Sequence, residues 1–258
     1  MKNQTIAQIK EALTGIKNED DPFFEELQSD SRKGVQILLN KWKAEREKER
    51  KEHDRYIRMS VHERRLSKQG FKSISGIDEA GRGPLAGPVV AAAVILNQDS
   101  CIYGLDDSKK LSAAKRTELF DRIHEKAEAI GVGIIPAEEI DQLNIYQAVK
   151  KAMKQAVSEL AVQPDFLILD AMKIEAPYPQ ESIIKGDANS ISIAAASIIA
   201  KVTRDRIMEE YDREYPGYGF GIHKGYGTKA HMDSLKKLGP CPIHRQSFTP
   251  VKAAMIQS

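Results

Sequence analysis

The chain has 258 residues, 41% of them hydrophobic, and a formal net charge of +2, enough to bury one full core and leave a second, smaller unit. With only Cys101 and Cys241, no signal-peptide run and no transmembrane stretch, the composition excludes a disulfide-stapled or membrane-spanning protein. It points to a cytoplasmic chain with two free thiols.

The charge is unevenly spread. Residues 1–30 carry three lysines against seven acids, residues 31–72 fourteen Lys/Arg against six acids, and the stretch from Gly217 onward six Lys/Arg against Asp233 alone. Two basic zones around a more neutral centre suit a polyanion such as nucleic acid, although solvated charged helices give the same counts.

The first 70 residues read as a helical extension. Ile6, Ile9, Leu13 and Ile16 recur at helical spacing, and Val35, Leu38, Leu39 and Trp42 repeat the pattern after Asp30 and Ser31, which suit a cap. Residues 43–55 (KAEREKERKEHDR) have almost no apolar side chain and pair opposite charges at i,i+3 and i,i+4, as a solvated helix does. No proline or glycine interrupts residues 36–68, so one long helix ended by Gly70 is expected. The boundary is placed near residue 70, with 1–70 as the extension and 71–258 as the main domain.

Beyond it the pattern mixes strands and helices. Residues 73–77 and the apolar run 89–96 read as two strands joined by a Gly/Pro-rich bend at 81–88. A helix over about 112–129, a strand at 131–135, a helix over 144–160 and a buried strand at 166–169 ending in Asp170 follow. Ile183 and Ile184 suggest a short strand, and residues 190–211 a long helix with a very small-residue face. Short, continuous apolar strands among helices indicate an α/β domain.

Asp78 and Glu79 follow one apolar strand and Asp170 another, and strand ends are where sites collect in such sheets. One such acid is usually a turn or cap; two, with an adjacent glutamate, favour a site for a hard cation such as Mg²⁺, which takes carboxylate and phosphate oxygens. Asp205, taken alone, reads as an exposed helix residue paired with Arg204 or Arg206. Gly81, Gly83 and Gly87 do not make a dinucleotide fingerprint, because Pro84 follows the second glycine and a strand follows the loop. Around Arg82 they suit a backbone that approaches a ligand closely, with a guanidinium nearby for phosphate.

Tyr215, Tyr218, Phe220 and Tyr226 alternate with glycines near basic residues; a packed aromatic loop explains all but Tyr226, a candidate stacking platform. His223, His231 and His244 match no zinc spacing, with only Cys241 close by, and are expected at the surface or against substrate. The arginines at 55, 58, 64 and 65 are candidates to extend a nucleic-acid contact.

These residues carry a resemblance. Gly76-Ile77-Asp78-Glu79-Ala80-Gly81-Arg82-Gly83, Asp107-Ser108-Lys109-Lys110-Leu111, Asp170-Ala171, the stretch from Ser190 to Asp205, His223-Lys224-Gly225-Tyr226-Gly227-Thr228 and His244-Arg245-Gln246-Ser247-Phe248 stand in one order. Over about 75–251 the chain resembles the type 2 ribonucleases H, specifically the bacterial ribonuclease HII family.

The resemblance implies a ribonuclease H-like mixed β-sheet flanked by helices, with a two-metal endonuclease site. It implies Asp78, Glu79, Asp170 and Asp205 as catalytic and metal-binding acids for Mn²⁺ or Mg²⁺. Gly81, Arg82 and Gly83 would contact the ribonucleotide 2′-hydroxyl, the one group that marks RNA at a given sugar, and Tyr226 would stack on the next deoxynucleotide sugar. Ser108, Lys109 and Lys201 would meet phosphates. The implied partners are RNA–DNA hybrids and duplex DNA containing ribonucleotides, cut 5′ of the ribonucleotide to leave 5′-phosphate and 3′-hydroxyl ends, in ribonucleotide removal and primer processing.

A monomer is expected, with the extension adding affinity and no terminal motif for a replication clamp. Two alternatives remain at this point. The sister ribonuclease HIII is disfavoured by Arg82 and by the helical extension. A non-catalytic hybrid-binding module is disfavoured by the complete acidic set.

Overall fold

The computed structural model describes residues 4–97 and 101–256. By contacts the chain divides into two units, Met1–Arg55 and Tyr56–Ser258.

The first unit is helical. α1 (Ile6–Leu13) starts on a capping box, in which Thr5 and Gln8 each bond the other's amide. α2 (Pro22–Gln28) starts on Asp21, whose carboxylate accepts from the Phe23 amide at 2.9 Å. α3 (Lys33–Met59) follows. Their apolar stripes meet in Ile9, Leu13, Phe24, Leu27, Val35, Leu39 and Trp42, with the Phe24 and Trp42 rings 4.5 Å apart. Past Trp42 the helix carries the expected ion pairs, Arg46 with Glu49 and Arg50 with Glu47.

The single helix expected through residue 68 is in fact two. At Ser60 (φ −88°, ψ 8°) the hydroxyl donates to the Ile57 carbonyl at 3.0 Å, and α4 (Val61–Lys68) begins afresh; a serine that bonds its own backbone competes with helix continuation. α4 packs within the second unit. Leu66 is buried beside Ile74, Ile168, Ile183 and Ile193, Glu63 accepts from the Ser190 hydroxyl at 2.6 Å and the Ser192 amide at 3.0 Å, and Arg65 pairs with Glu181. By contacts the division falls at 55/56.

The second unit continues with β1 (Ile74–Ala80), β2 (Val89–Leu96), α5 (Ala113–Lys126), β3 (Ala127–Ile135), α6 (Ala137–Leu143), α7 (Ile145–Ser158), β4 (Phe166–Asp170), β5 (Gln180–Ile183), α8 (Gly186–Asn189), α9 (Ile191–Glu214), α10 (Phe220–His223), α11 (Lys229–Leu238) and α12 (Thr249–Ile256). The five strands form one mixed sheet in the order β3-β2-β1-β4-β5. β1 runs antiparallel to β2 and parallel to β4.

β2 explains why its run of apolar residues is unbroken: all eight are buried, because both faces of the sheet are covered. Val89, Ala91, Ala93 and Ile95 face α7, whereas Val90, Ala92, Val94 and Leu96 pack with α5 and α9. The small-residue face of α9, Ala194 to Ala196, lets that helix lie close on β1; a Cβ on Gly76 would overlap the backbone of Ser192 and Ile193. Among the described residues no helix is long and apolar enough to cross a membrane.

Candidate active site

Strand register brings the first two acids together. Ile77 on β1 pairs with Leu169 on parallel β4, so Asp78 and Asp170, each the next residue, stand level on adjacent strands. With Ile77 and Leu169 both in the α7-side core, alternation turns Asp78 and Asp170 to the opposite face, toward α9. Asp78 is only 5% exposed. It bonds the Ser197 side chain on α9 and accepts from the Glu79 amide at 2.7 Å. Burial, then the adjacent Glu79 charge, pushes its carboxyl well above the usual range. Burial likewise raises Glu79, against the pull of Arg82, whose Nη1 is 3.2 Å from Glu79 Oε1. Asp170 Oδ1 accepts from the Gly186 amide at 2.7 Å.

The segment that supplies this amide also brings Asp187, which sequence reasoning missed. Asp187 is 8% exposed and raised by its burial, then by the charges of Asp107 and Asp170. Lys109 is the counter-charge: burial opposes it, but Asp107, Asp187, Asp78 and Asp170 together hold its ammonium above the ordinary value. Asp187 lies on α8, four residues beyond the end of β5, so the strand-end signal that found Asp78 and Asp170 does not reach it.

Asp205, expected as the fourth acid, is held elsewhere. It lies two turns beyond Ser197 on α9, about 12 Å of helix, and its Oδ1 is 2.6 Å from Lys201 Nζ. The pairing is therefore with Lys201 rather than Arg204 or Arg206, and it also occupies the Lys201 ammonium, lowered by burial. Ser108 is 4% exposed, its hydroxyl 3.0 Å from that of Ser197, so it stands behind the acids.

Buried carboxylates facing one another with one lysine among them fit a hard divalent cation by donor chemistry: all donors are oxygens, and the burial that raises Asp78 is relieved by positive charge. As the side chains stand, no group of three or more His, Cys, Asp or Glu among the described residues is placed to hold one ion; a cation held by one or two carboxylates with water and phosphate oxygens needs no such group.

The turn after Glu79 is held from beneath. Gly81 has φ +98°, and a Cβ there would collide with the Arg204 side chain and stand 2.7 Å from the Pro88 carbonyl oxygen. Gly83 differs, since a Cβ on it would meet nothing within 4 Å. The Gly81 and Arg82 carbonyls accept from Arg245 at 2.6 and 2.9 Å. Among the described residues, the amides of Arg82 and Gly83 donate to no protein acceptor. The Arg82 side chain is 54% exposed.

Tyr226 is 43% exposed. Its amide donates to the His223 carbonyl at 2.9 Å, and its carbonyl accepts from the Thr228 amide at 2.8 Å and bonds His231 Nδ1 at 3.0 Å. The histidines are not at the surface: His231 and His244 are buried, Nε2 to Nε2 at 3.1 Å, and His244 Nδ1 is 3.1 Å from Cys241 Sγ. Burial pushes His244 down to about 4 and lowers His231. Tyr218 and Phe220 are packed, stacked at 5.1 Å.

The comparisons with known proteins agree with this architecture. The family model for ribonuclease HII matches residues 75–251, and that for the ribonuclease HII N-terminal domain matches 5–67. A ribonuclease HII of Bacillus licheniformis is 55% identical over 98% of this chain and 99% of its own length. That of Enterococcus faecalis is 54% identical, again over 98% and 99%. The crystal structure of the ribonuclease H2 from Pyrococcus horikoshii OT3 superposes with a TM-score of 0.62 over 72% of this chain and 98% of that one, at 24% identity, which speaks to the fold. The chain thus belongs to the ribonuclease HII family: it is a divalent-metal-dependent endonuclease of the ribonuclease H kind, acting on the RNA of RNA–DNA hybrids.

Proposed function

We propose that the protein cuts on the 5′ side of ribonucleotides embedded in duplex DNA as well as within hybrids, leaving 5′-phosphate and 3′-hydroxyl ends. In the cell this serves ribonucleotide removal and RNA primer processing, by a cytoplasmic monomer.

The observation that carries this reading is the pairing of two neighbouring features. Buried Asp78 and half-buried Asp170 stand level on adjacent parallel strands, and directly after Asp78 and Glu79 comes a turn whose Arg82 and Gly83 amides are uncommitted and whose Gly83 faces open space. Asp78, Glu79 and Asp170, with Asp187 in place of Asp205, are the carboxylates that would hold Mn²⁺ or Mg²⁺. Such ions, when bound, supply water activation and charge neutralisation at the scissile phosphate and leaving oxygen.

The protein's own groups do the rest. The amides of the turn donate to the 2′-hydroxyl, and the missing side chain at Gly83 lets the sugar approach. Tyr226 stacks on the neighbouring deoxynucleotide sugar. Lys109, already among the acids, neutralises a phosphate oxygen as the backbone enters. Ser108 and Lys201 act one step back, through Ser197 and Asp205. The basic zone of residues 31–72 adds phosphate contacts, so a chain lacking residues 1–70 binds hybrid more weakly and with a shallower salt dependence.

The test is incubation with Mn²⁺ or Mg²⁺ and a DNA duplex holding one ribonucleotide. Cleavage 5′ of the ribonucleotide, abolished by Asp170→Asn, is expected. An intact duplex with both metals, or a variant as active as the parent, contradicts the reading.

A further inference from the structure

Among the described residues the two largest fully buried side chains are both arginines, Arg204 at 1% and Arg245 at 0% exposure. Burying a cation is costly unless it is paired or fully hydrogen-bonded. Among the described residues neither has a carboxylate within ion-pair distance. Both are satisfied by main-chain carbonyls alone.

Arg245 donates from Nε to Gly87 at 3.0 Å, from Nη1 to Arg82 at 2.9 Å, and from Nη2 to Gly81 at 2.6 Å and Pro88 at 3.2 Å. One guanidinium thereby gathers both ends of the 81–88 loop. Arg204 donates from Nε to Pro88 at 2.9 Å, from Nη2 to Ala86 at 3.0 Å and from Nη1 to Lys224 at 2.9 Å. Its guanidinium carbon lies 6.0 Å from the Tyr226 ring centroid.

The two side chains share the Pro88 carbonyl, and around them the loop is cross-bonded to the same neighbours. The Leu85 amide donates to Gly225, the Gly87 amide to Ile243 and the Arg245 amide to Leu85, each at 2.8 Å. Holding the Gly81 and Arg82 carbonyls inward leaves the Arg82 and Gly83 amides for a ligand.

We propose that Arg204 and Arg245 are positioning residues that lock the 81–83 turn and Tyr226 into one rigid body, fixing the distance between the 2′-hydroxyl reader and the sugar platform. Neither touches substrate; both act through main chain. A lysine ammonium has three donors on one tetrahedral nitrogen and cannot reproduce a planar fork spread over three or four carbonyls. The inference rests on reading Gly81, Arg82 and Gly83 as the 2′-hydroxyl site.

The experiment uses the full chain with Mn²⁺, as wild type, Arg245→Lys and Arg204→Lys. It measures kcat and KM on a duplex with one ribonucleotide, and amide hydrogen exchange at the bonded Leu85 and Gly87 amides of the loop and at 224–228. A small displacement of a positioning element costs about 100-fold, so kcat is expected to fall by about that factor with KM nearly unchanged. The decisive readout is the cross effect of Arg245→Lys, which loosens 224–228 although Arg245 donates no hydrogen bond there; Arg204→Lys acts on Gly81 directly, since its side chain packs against that residue.

Loosening confined to each residue's own contacts, or kcat at the wild-type value, overturns the proposal. Should the variants not fold, wild-type exchange alone decides. One opening free energy with one denaturant dependence for both segments is expected, and two separate values contradict it. A wild-type enzyme that left the ribonucleotide duplex intact would sink the 2′-hydroxyl reading, while the exchange measurement would still test the coupling.

Discussion

Two clusters of buried charge flank the same short stretch of chain, and they are resolved in opposite ways. Above it, Asp78, Glu79, Asp170 and Asp187 crowd around Lys109 with their charge incompletely answered. Below it, Arg204 and Arg245 donate seven hydrogen bonds to main-chain carbonyls, every guanidinium nitrogen taking part, while burial lowers both groups, Arg245 to about 9. An unsatisfied buried charge costs stability and persists where a ligand completes it; a satisfied one is scaffold. The difference separates the groups that meet substrate and cation from those that hold them in register.

The largest effect is expected at the acids. Asp78→Asn should lower cleavage by about 10³-fold or more, yet raise Tm in the presence of a chelator, because it removes a charge that burial and Glu79 disfavour. Steady-state cleavage and thermal melting check the pair of outcomes; a variant that melts lower in chelator would mean the acids are satisfied after all.

The turn between the clusters splits next. Gly81→Ala combines φ +98° with a collision against Arg204 and should destabilise by about 2–4 kcal/mol. Gly83→Ala meets nothing within 4 Å. It should melt within about 0.5 kcal/mol of wild type and still lose about 100-fold in kcat on a single-ribonucleotide duplex. Denaturant melts beside cleavage rates distinguish the two; equal stability losses would erase the contrast.

The smallest effect concerns the histidines under Tyr226. His244, held down to about 4, and His231, also lowered, are kept neutral by burial, whereas in the unfolded chain both titrate near about 6.5. Their contribution to stability is complete above the unfolded value and is lost as pH falls from there toward 4. Tm should drop by several degrees across that window, and less in His244→Gln; parallel curves for the two proteins would contradict it.

Much of this was legible in sequence because it follows from periodicity and strand ends. The eight apolar residues of β2, the Asp78 and Asp170 strand ends and the small-residue helix that became α9 each declare themselves. Ser60 did not, since a serine breaks a helix only when its hydroxyl turns to the backbone. Arg204 and Arg245 carry no signal of their burial: a buried arginine reads like an exposed one until its carbonyl partners, all but Lys224 more than 100 residues away in sequence, are known. Asp205 misled for a related reason, because its motif says that an acid is present and not that Lys201 holds it. Asp187 lay outside the strand-end rule, because it sits on α8 four residues after β5 and joins the acids only through the fold.

The measurement that bears most directly on the acidic site compares Asp187→Asn with Asp205→Asn, both in the full chain with Mn²⁺ on the single-ribonucleotide duplex. The geometry predicts that Asp187→Asn loses nearly all cleavage while Asp205→Asn stays within about tenfold of wild type, the cost of freeing Lys201. Loss of cleavage in Asp205→Asn with activity retained in Asp187→Asn would contradict it.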